Sequence, residues 1–177
     1  MEAYFDNSAT TKCSPKAAEL VMKVLTEDYG NPSSLHLKGV EAEEYIKEAG
    51  RRICKTLKIN DKELIFTSGG TESNNMAIIG AAMANKRRGM HLITTRIEHA
   101  AVISPMKCLE EQGFSVTYLD VDENGLISLE ELAQAITSET ILVSIMYVNN
   151  EIGAVEPIEE AAKIIKEKKE KRAVANK

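Results

Sequence analysis

The sequence predicts an α/β protein with a mostly parallel sheet, because segments typical of strands alternate with segments typical of helices. Three short apolar or β-branched runs predict strands: HLITT (91–95), SVTYL (115–119) and TILVSIM (140–146). The third is the kind of continuous apolar run that lies buried on both faces of a sheet. The residues between these runs carry helical periodicity and helix caps, so flanking helices are expected.

Helix boundaries are marked by residues that cap or start helices. Ser14 followed by Pro15 predicts a first helix, and the apolar periodicity of residues 37–57 predicts a long amphipathic one. Ser128 and Glu131 form a capping-box pattern, and Pro157 begins the last predicted helix. We therefore expect an extended N-terminal arm over residues 1–14 and one domain over residues 15–177.

Composition excludes several classes of protein. The 177 residues are 44% hydrophobic, which is enough for one domain with a sizeable core. A formal net charge of -5 argues against a nucleic-acid or anionic-membrane partner. No apolar run approaches membrane-spanning length, and the first residues lack a secretory signal, so we expect a cytoplasmic protein. The three cysteines indicate neither a disulfide framework nor a zinc site, and Cys54 and Cys108 are expected to pack as small hydrophobes within helices.

The stretch ELIFTSGGTESNN (63–75) is the most informative part of the chain. Residues 64–66 are suited to a buried strand, residues 67–70 to a turn, and a helix is expected from Thr71 onward. The free N–H groups at such a helix start form an anion site that would suit a phosphate. The pattern matches neither a Walker loop nor a G-x-G-x-x-G fingerprint, and a plain connecting loop explains the turn equally well.

Three predicted loops belong at one edge of the sheet. Ligands of parallel α/β sheets bind beyond the carboxyl ends of the strands. This rule brings together residues 68–72, residues 98–99 and residues 149–151. The sequence therefore predicts a single ligand site built from three distant segments.

Five segments in order resemble the cysteine desulfurases of the NifS and IscS type, which are pyridoxal 5'-phosphate (PLP) enzymes of the class V aminotransferase group. These segments are FDNSATT (5–11), GNPSSLH (30–36), FTSGGTESNN (66–75), IEHAAV (97–102) and VNNEIG (148–153). The resemblance implies the PLP-dependent transferase fold type I and a homodimer. It also implies sulfur transfer from L-cysteine, leaving L-alanine, to a sulfur-acceptor protein for iron-sulfur or thio-cofactor assembly.

The resemblance also implies roles for particular residues. Gly70 and Thr71 would hold the PLP phosphate, and His99 would lie over the pyridine ring and move protons. Asn150 would donate to the phenolic oxygen of PLP and help to seat the substrate carboxylate. From the residues alone, His99 is more simply a structural or surface histidine and Asn150 a turn residue.

The N-terminal arm lies near the substrate in the resembling enzymes. Asn7, Ala9 and Thr10 are therefore expected to contribute to substrate binding. A simple extended terminus explains the same residues without any ligand. Cys13 precedes a helix start, where the pKa of a thiol can fall, although the sulfur-accepting cysteine of the family lies elsewhere.

The sequence departs from the family pattern after the last predicted helix. There the family supplies a Schiff-base lysine, an aspartate opposite the pyridine nitrogen and a nucleophilic cysteine. The tail lysines are expected on a solvated helix face instead: Lys163, Lys166, Lys168, Lys169, Lys171 and Lys177. We therefore expect the N-terminal portion of a desulfurase, with an incomplete large domain and no small domain. It could be a truncated gene product, one half of a split enzyme or an engineered piece.

Such a portion should bind PLP non-covalently at best and be inactive alone. Uncovered strand edges and apolar helix faces should make it associate with itself or with a complementary C-terminal chain. One alternative is a non-catalytic partner or regulatory half-domain that keeps the phosphate pocket; another is a selenocysteine lyase or an aminotransferase of the same group. A third is calcium binding, because residues 120–131 match the EF-hand loop pattern at every ligand position.

Overall fold

A computed structural model describes the backbone of residues 3–175 and the side chains through Lys171. Packing divides the chain into two compact units, Met1–Phe66 and Thr67–Lys177. The expected division into an arm over residues 1–14 and a domain over residues 15–177 stays a prediction. No helix in the described part of the chain is both long enough and apolar enough to cross a membrane.

The N-terminal unit consists of two helices and a short 3₁₀ turn. Helix α1 spans Pro15–Thr26 and helix α2 spans Leu37–Leu57, as the sequence predicts, and the 3₁₀ turn is Asp61–Glu63. Ser14 Oγ caps α1 by accepting the N–H of Ala17 at 3.3 Å. The ring of His36 caps α2 in the same way, because its Nδ1 accepts the N–H of Gly39 at 3.3 Å.

The predicted strand over residues 64–66 does not form. These residues have no regular secondary structure, and the side chains of Ile65 and Phe66 are 65% and 56% exposed. A strand needs a neighbour that takes its backbone hydrogen bonds, and the described sheet includes no partner for this segment. The local apolar run was therefore insufficient to predict the strand.

The C-terminal unit is a three-stranded parallel sheet with helices on both faces. The strands lie in the order β2-β1-β3, and Leu92 of β1 pairs with Val116 of β2 and Leu142 of β3. The predicted α/β architecture is confirmed. Its elements are α3 (Gly70–Asn85), β1 (His91–Thr95), α4 (Ala100–Glu111), β2 (Ser115–Leu119), α5 (Leu129–Ala135), β3 (Thr140–Val143) and α6 (Ile158–Ala175).

The core of this unit is divided by the sheet into two apolar clusters. Successive side chains of β1 point to opposite faces, so Leu92 joins one cluster and Ile93 the other. The Leu92 cluster is formed with α3 and α4, and the Ile93 cluster with α5 and α6. Their buried members are Ile78, Ala82, Leu92, Val102, Met106, Leu109 and Phe114 in the first, and Ile93, Leu119, Ile127, Leu132 and Ala161 in the second.

Strand β3 differs from its prediction in length and burial. It ends at Val143 rather than at Met146, and its residues are half-buried rather than buried on both faces. One edge of β3 pairs with β1, while its other edge pairs with no strand among residues 3–175. The N–H of Ser144 still donates to the carbonyl of Ile93 at 2.8 Å, whereas the N–H of Met146 donates to the carboxylate of Glu98 instead of to the sheet.

Candidate functional site

The glycine turn leads directly into the first turn of α3, where backbone N–H groups remain available. The helix begins at Gly70, and its first internal hydrogen bond runs from the N–H of Ser73 to the carbonyl of Gly69 at 3.1 Å. The N–H groups of Gly70, Thr71 and Glu72 therefore have no partner in the described part of the chain. The start of this helix can receive an anion.

The two glycines keep the space above this turn open. Gly69 has an extended backbone and Gly70 is helical, so neither conformation requires glycine. A Cβ atom at either position would meet no atom within 4 Å. The absence of side chains at both positions leaves the N–H groups accessible.

A carboxylate already occupies one side of the turn. Glu72 Oε2 accepts both the N–H and the hydroxyl of Ser68 at 2.6 Å. These two hydrogen bonds lower the pKa of the Glu72 carboxyl. The N–H and hydroxyl of Ser68 are therefore already hydrogen-bonded to Glu72. The hydroxyl of Thr71 has no partner in the same stretch and remains available to a ligand.

His99 lies at the start of another helix. It is the N-cap of α4, and its Nδ1 accepts the N–H of Ala101 at 3.0 Å. A ring nitrogen that accepts this bond carries no proton, so the neutral imidazole has its proton on Nε2. The ring is exposed, and Nε2 is available to exchange a proton with a ligand.

One side chain joins these two helix starts. Asn75 of α3 donates from Nδ2 to the carbonyl of Thr71 at 2.8 Å and to the carbonyl of Ala101, in the first turn of α4, at 3.4 Å. Its amide is therefore within hydrogen-bonding distance of both first turns. The glycine turn and His99 accordingly lie at the same edge of the sheet.

The loops after β1 and β3 are joined by a carboxylate. Glu98 Oε1 accepts the N–H of Met146 at 2.6 Å and lies 3.5 Å from the hydroxyl of Thr95. Burial raises the pKa of the Glu98 carboxyl, and the nearby Glu156 carboxyl raises it further, while the bonds from Met146 and Thr95 oppose that shift. Glu98 is thus a half-buried acid directly before His99.

A carboxamide of the loop after β3 joins the same two loops a second time. The side chain of Asn149 is buried, and its Nδ2 donates to the carbonyl of Ile97 at 3.1 Å. Its Oδ1 accepts the N–H groups of Glu151 and Ile152 at 2.9 and 3.1 Å. The adjacent Asn150 is exposed, and among residues 3–171 its side chain bonds only to the carboxylate of Glu151. The first asparagine therefore fixes the loop, and the second is accessible to a ligand.

The structure thus brings the three predicted loops to one edge of the sheet. Hydrogen bonds of Asn75 link the glycine turn to the helix that follows His99, and those of Glu98 and Asn149 link the His99 loop to the Asn150 loop. Asn7, Ala9 and Thr10 belong to the N-terminal unit. There residues 7–9 form an exposed turn, in which the N–H groups of Ala9 and Thr10 donate to the carbonyl of Asp6.

Sequence reasoning assigned no role to three residues that hold this arrangement together. Asn75, Glu98 and Asn149 connect elements that are 26, 48 and 52 positions apart along the chain. Glu98 and Asn149 lie within the predicted loops 98–99 and 149–151, directly beside predicted ligand residues, but the sequence pattern assigned neither of them a task. Their partners are backbone groups, which a sequence pattern does not identify.

Three of the tail lysines lie in a groove along β3. The groove has a volume of about 1040 Å³, and Lys168, Lys169 and Lys171 line it together with Glu139 and Thr140 at the start of the strand. The candidate site lies beyond the opposite, carboxyl end of the strands. These lysines are therefore not placed to react with a ligand there. Lys177 lies outside the described residues.

The segment 120–131 does not have the setting of an EF-hand. It follows strand β2, whereas an EF-hand loop is flanked by helices on both sides. Asp122 Oδ1 accepts the N–H groups of Asn124 and Leu126 at 2.9 Å, so this carboxylate stabilises a turn. Within the described residues, no group of three or more His, Cys, Asp and Glu side chains is arranged to hold a metal ion.

The cysteines occupy different environments. Cys54 is buried in α2, and burial raises the pKa of its thiol. Cys108 is exposed on α4, where its sulfur accepts a hydrogen bond from Gln112 at 3.3 Å. The expectation that Cys108 packs as a small hydrophobe is therefore wrong, because it lies on the solvent side of its helix. Cys13 is exposed before α1.

Comparison with known protein families identifies the family of this chain. The sequence model of the family described as aminotransferase class-V matches residues 3–174. The chain belongs to the aminotransferase class-V family.

Among curated members of this family, similar proteins are cysteine desulfurases. The chain is 48% identical over 167 residues to cysteine desulfurase IscS of Clostridium botulinum (strain Hall), and 51% identical over 167 residues to that of Neisseria meningitidis serogroup C (strain 053442). These matches cover 94% of this chain but 42% and 41% of the relatives. The chain thus spans about two-fifths of the length of the curated relatives it matches.

Solved structures of class-V enzymes have the same fold. A NifS-like protein superposes with a TM-score of 0.91 at 41% identity, covering 95% of this chain and 46% of that one. The structure titled SspA in complex with cysteine superposes with a TM-score of 0.86 at 39% identity, covering 93% of this chain and 47% of that one. The predicted fold of PLP-dependent transferases is confirmed.

Class-V aminotransferases and cysteine desulfurases depend on PLP, and the start of α3 fits its phosphate. Three consecutive N–H groups and the hydroxyl of Thr71 are available as donors, and the space above both glycines is open. The positive end of the α3 dipole adds to the attraction for an anion. Gly70 and Thr71 thus offer donors and space that suit a phosphate.

Proposed function

We propose that this chain supplies the phosphate-binding part of a PLP-dependent cysteine desulfurase, which takes sulfur from L-cysteine and leaves L-alanine. The observation that carries the proposal is the pair of helix starts joined by Asn75. One offers free N–H groups to a phosphate, and the other carries an exposed imidazole. The similarity to cysteine desulfurases over 94% of the chain supports the same reaction.

Each proposed residue has a distinct task. Gly70 and Thr71 bind the phosphate through N–H groups and a hydroxyl, which fixes one end of the cofactor. His99 covers the ring and moves a proton at Nε2, since its Nδ1 is held by Ala101. Asn150 donates from its carboxamide to the phenolic oxygen of the ring and to the substrate carboxylate. When bound, PLP supplies an electron sink for the substrate.

The N-terminal arm and further polypeptide complete the proposed enzyme. Asn7, Ala9 and Thr10 contribute to binding of L-cysteine. A complementary chain supplies the reactive lysine and cysteine that the resemblance implies. A sulfur-acceptor protein then receives the sulfur for iron-sulfur or thio-cofactor assembly, and the protein works in the cytoplasm.

Binding of PLP to the 177-residue chain tests the cofactor part of this proposal. In ¹H–¹⁵N spectra, we expect PLP to shift the amide signals of Gly70, Thr71 and Glu72, because their N–H groups are free. Thr71→Val removes the hydroxyl and should weaken binding, while Glu111→Ala, which removes an exposed carboxylate from α4, should leave it unchanged. An absence of shifts at these three amides contradicts the proposed site.

A complementation assay tests the reaction. The chain is mixed with a polypeptide that covers the remaining length of a curated relative, and L-alanine formation from L-cysteine is measured. We expect activity only with both pieces and PLP, and its loss in His99→Gln. If the pair binds PLP but leaves L-cysteine unreacted, a non-catalytic half-domain that retains the phosphate pocket is favoured over a desulfurase.

The uncovered edge of β3 supports the proposal that a partner binds. An unpaired strand edge exposes backbone hydrogen-bonding groups that readily pair with another strand. The apolar residues of α1 are also exposed, among them Val21, Met22 and Leu25. We expect the isolated chain to elute as an oligomer in size-exclusion chromatography with light scattering. A monomer at all concentrations contradicts self-association.

A further inference from the structure

The loop that carries His99 is attached to the loop that carries Asn150 by two hydrogen bonds. Glu98 accepts from the backbone of Met146, and Asn149 donates to the backbone of Ile97. Both bonds end on residues adjacent to or near the two proposed ligand contacts. Each loop supplies one side chain and one backbone group, and the loop after β3 is the donor in both bonds.

The loop after β3 is itself well ordered by internal bonds. The N–H of Asn149 donates to the carbonyl of Ala154 at 2.8 Å, and Val148 pairs with Val155 in an antiparallel bridge. The buried carboxylate of Glu156 accepts the N–H of Ile127 at 3.1 Å, which fixes the end of this small hairpin. The N–H of Glu156 also donates to the carbonyl of Tyr147 at 2.9 Å, so a displacement at Met146 would pass through its neighbour to the hairpin and to Asn150.

Glu98 is placed to control the separation of the two ligand contacts. It directly precedes His99 in the chain, and its half-buried carboxylate is held by the N–H of Met146 at 2.6 Å. We propose that Glu98 is a positioning residue whose bond to Met146 sets the distance between His99 and Asn150, so that both reach one ligand held at the start of α3. This inference rests on the proposed function, because the ligand it invokes is PLP.

The start of α3 does not depend on this contact. Its N–H groups are oriented by the helix itself, and its link to α4 is made by Asn75. Removal of Glu98 should therefore separate the two halves of the site. Phosphate binding at Gly70 and Thr71 should persist, while the contacts of His99 and Asn150 with the same ligand should be lost.

The test compares the full 177-residue chain with Glu98→Ala and Glu98→Gln, using PLP and inorganic phosphate as probes. In ¹H–¹⁵N spectra of the unaltered chain, PLP should shift the signals of Gly70, Thr71, His99 and Asn150. Inorganic phosphate should shift only those of Gly70 and Thr71. In Glu98→Ala, PLP should still shift Gly70 and Thr71 but no longer His99 and Asn150. Glu98→Gln keeps an oxygen acceptor and should restore the full response, and Glu111→Ala is the matched carboxylate control.

A pH titration of the Met146 amide checks the bond itself. Its signal should move as the Glu98 carboxyl ionises above pH 4.5, since burial raises the pKa of this group, and it should stay fixed in Glu98→Gln. This measurement also serves if Glu98→Ala fails to fold. The positioning role alone is overturned if the Met146 amide signal does not change with pH, or if PLP still shifts the signals of His99 and Asn150 in Glu98→Ala. An unaltered chain in which PLP leaves Gly70 and Thr71 unshifted overturns the proposed function, and the positioning role with it.

Discussion

The two compact units of this chain both contain helices but have very different cores. In the C-terminal unit, two apolar clusters pack against the faces of a parallel sheet. In the N-terminal unit, α1 has no buried residue, and the buried residues of α2 are Gly39, Ala42 and Cys54. The apolar stripe of α1 is as regular as its sequence predicts, yet its residues stay exposed. The sequence of α1 therefore provides an apolar helix face but not the surface against which that face packs, and most of the stability of protein helices comes from such packing.

The N-terminal unit relies on local interactions instead. Arg52 of α2 pairs with Glu48 one turn earlier at 2.6 Å, and Lys47 pairs with Glu43 at 2.8 Å. Pairs of this kind on exposed helix surfaces contribute little to stability. The comparison predicts that changes in the sheet unit affect the whole fold, whereas equivalent changes in the helical unit stay local.

Core truncation should show the largest contrast. Leu92→Ala removes a fully buried side chain between α3 and α4 and should lower the free energy of unfolding by about 2 to 5 kcal/mol. Leu25→Ala removes a side chain that is 69% exposed, so its effect should stay within about 0.5 kcal/mol. Urea unfolding monitored by circular dichroism measures both. Equal losses would contradict the difference between the units.

The paired asparagines sharpen the comparison within the site. Asn149→Ala removes a buried carboxamide that donates to Ile97 and accepts two N–H groups, and should cost about 1 to 3 kcal/mol. Asn150→Ala changes an exposed neighbour and should remain within about 0.5 kcal/mol. Urea unfolding gives the two values, and hydrogen exchange at Glu151 and Ile152 should accelerate only in Asn149→Ala. A larger effect at Asn150 would show that the two roles are reversed.

Helix caps provide a smaller contrast between the units. Ser128→Ala removes the bond to the N–H of Glu131 at the start of α5, a helix that buries Leu132, and should cost about 1 kcal/mol. Ser14→Ala removes the equivalent bond from α1, which buries nothing. We expect it to reduce helical circular dichroism without shifting the main unfolding midpoint. A shift as large as that of Ser128→Ala would show that α1 contributes to the common fold.

The smallest expected effect is a pH dependence located in the sheet unit. His91 bridges Thr140 and Thr117 at 2.7 and 2.8 Å, and burial lowers the pKa of its ring below 6.5. Near this pH, His91 is therefore protonated more in the unfolded chain than in the folded chain. The free energy of unfolding should fall as pH drops below about 6.5, by less than about 1.4 kcal/mol per pH unit. Urea unfolding at several pH values gives the slope.

Two variants show which histidine causes this pH dependence of the free energy of unfolding. His91→Gln should abolish it, while His36→Gln in the helical unit should retain it. The contribution of Glu98 to the pH dependence has the opposite sign. Its raised pKa keeps this carboxyl protonated in the folded chain, so the stability it provides is lost as pH rises above 4.5 through its folded pKa. A slope that persists in His91→Gln would assign the effect to another group.

Parts of the fold were predictable from local signals. The boundaries of α2, β1 and β2 agree with the sequence pattern, because apolar periodicity and turn residues mark them directly. The strand expected over residues 64–66 does not form, because its formation depends on a distant segment rather than on the local pattern. Its apolar run is real, but a strand is stabilised by hydrogen bonds to a neighbour, and the periodicity of one segment does not say whether a neighbour is present.

The sequence by itself determined the alternation of strands and helices, the glycine turn before α3 and the resemblance to class-V enzymes, since each depends on residues that are close together in the chain. Only the tertiary structure decided that Asn75, Glu98 and Asn149 join the three loops. Their partners are carbonyl and N–H groups that every residue possesses, so no side-chain pattern distinguishes them. It also decided that Cys108 is exposed and that β3 ends at Val143, because both depend on which surfaces and backbone groups meet after folding.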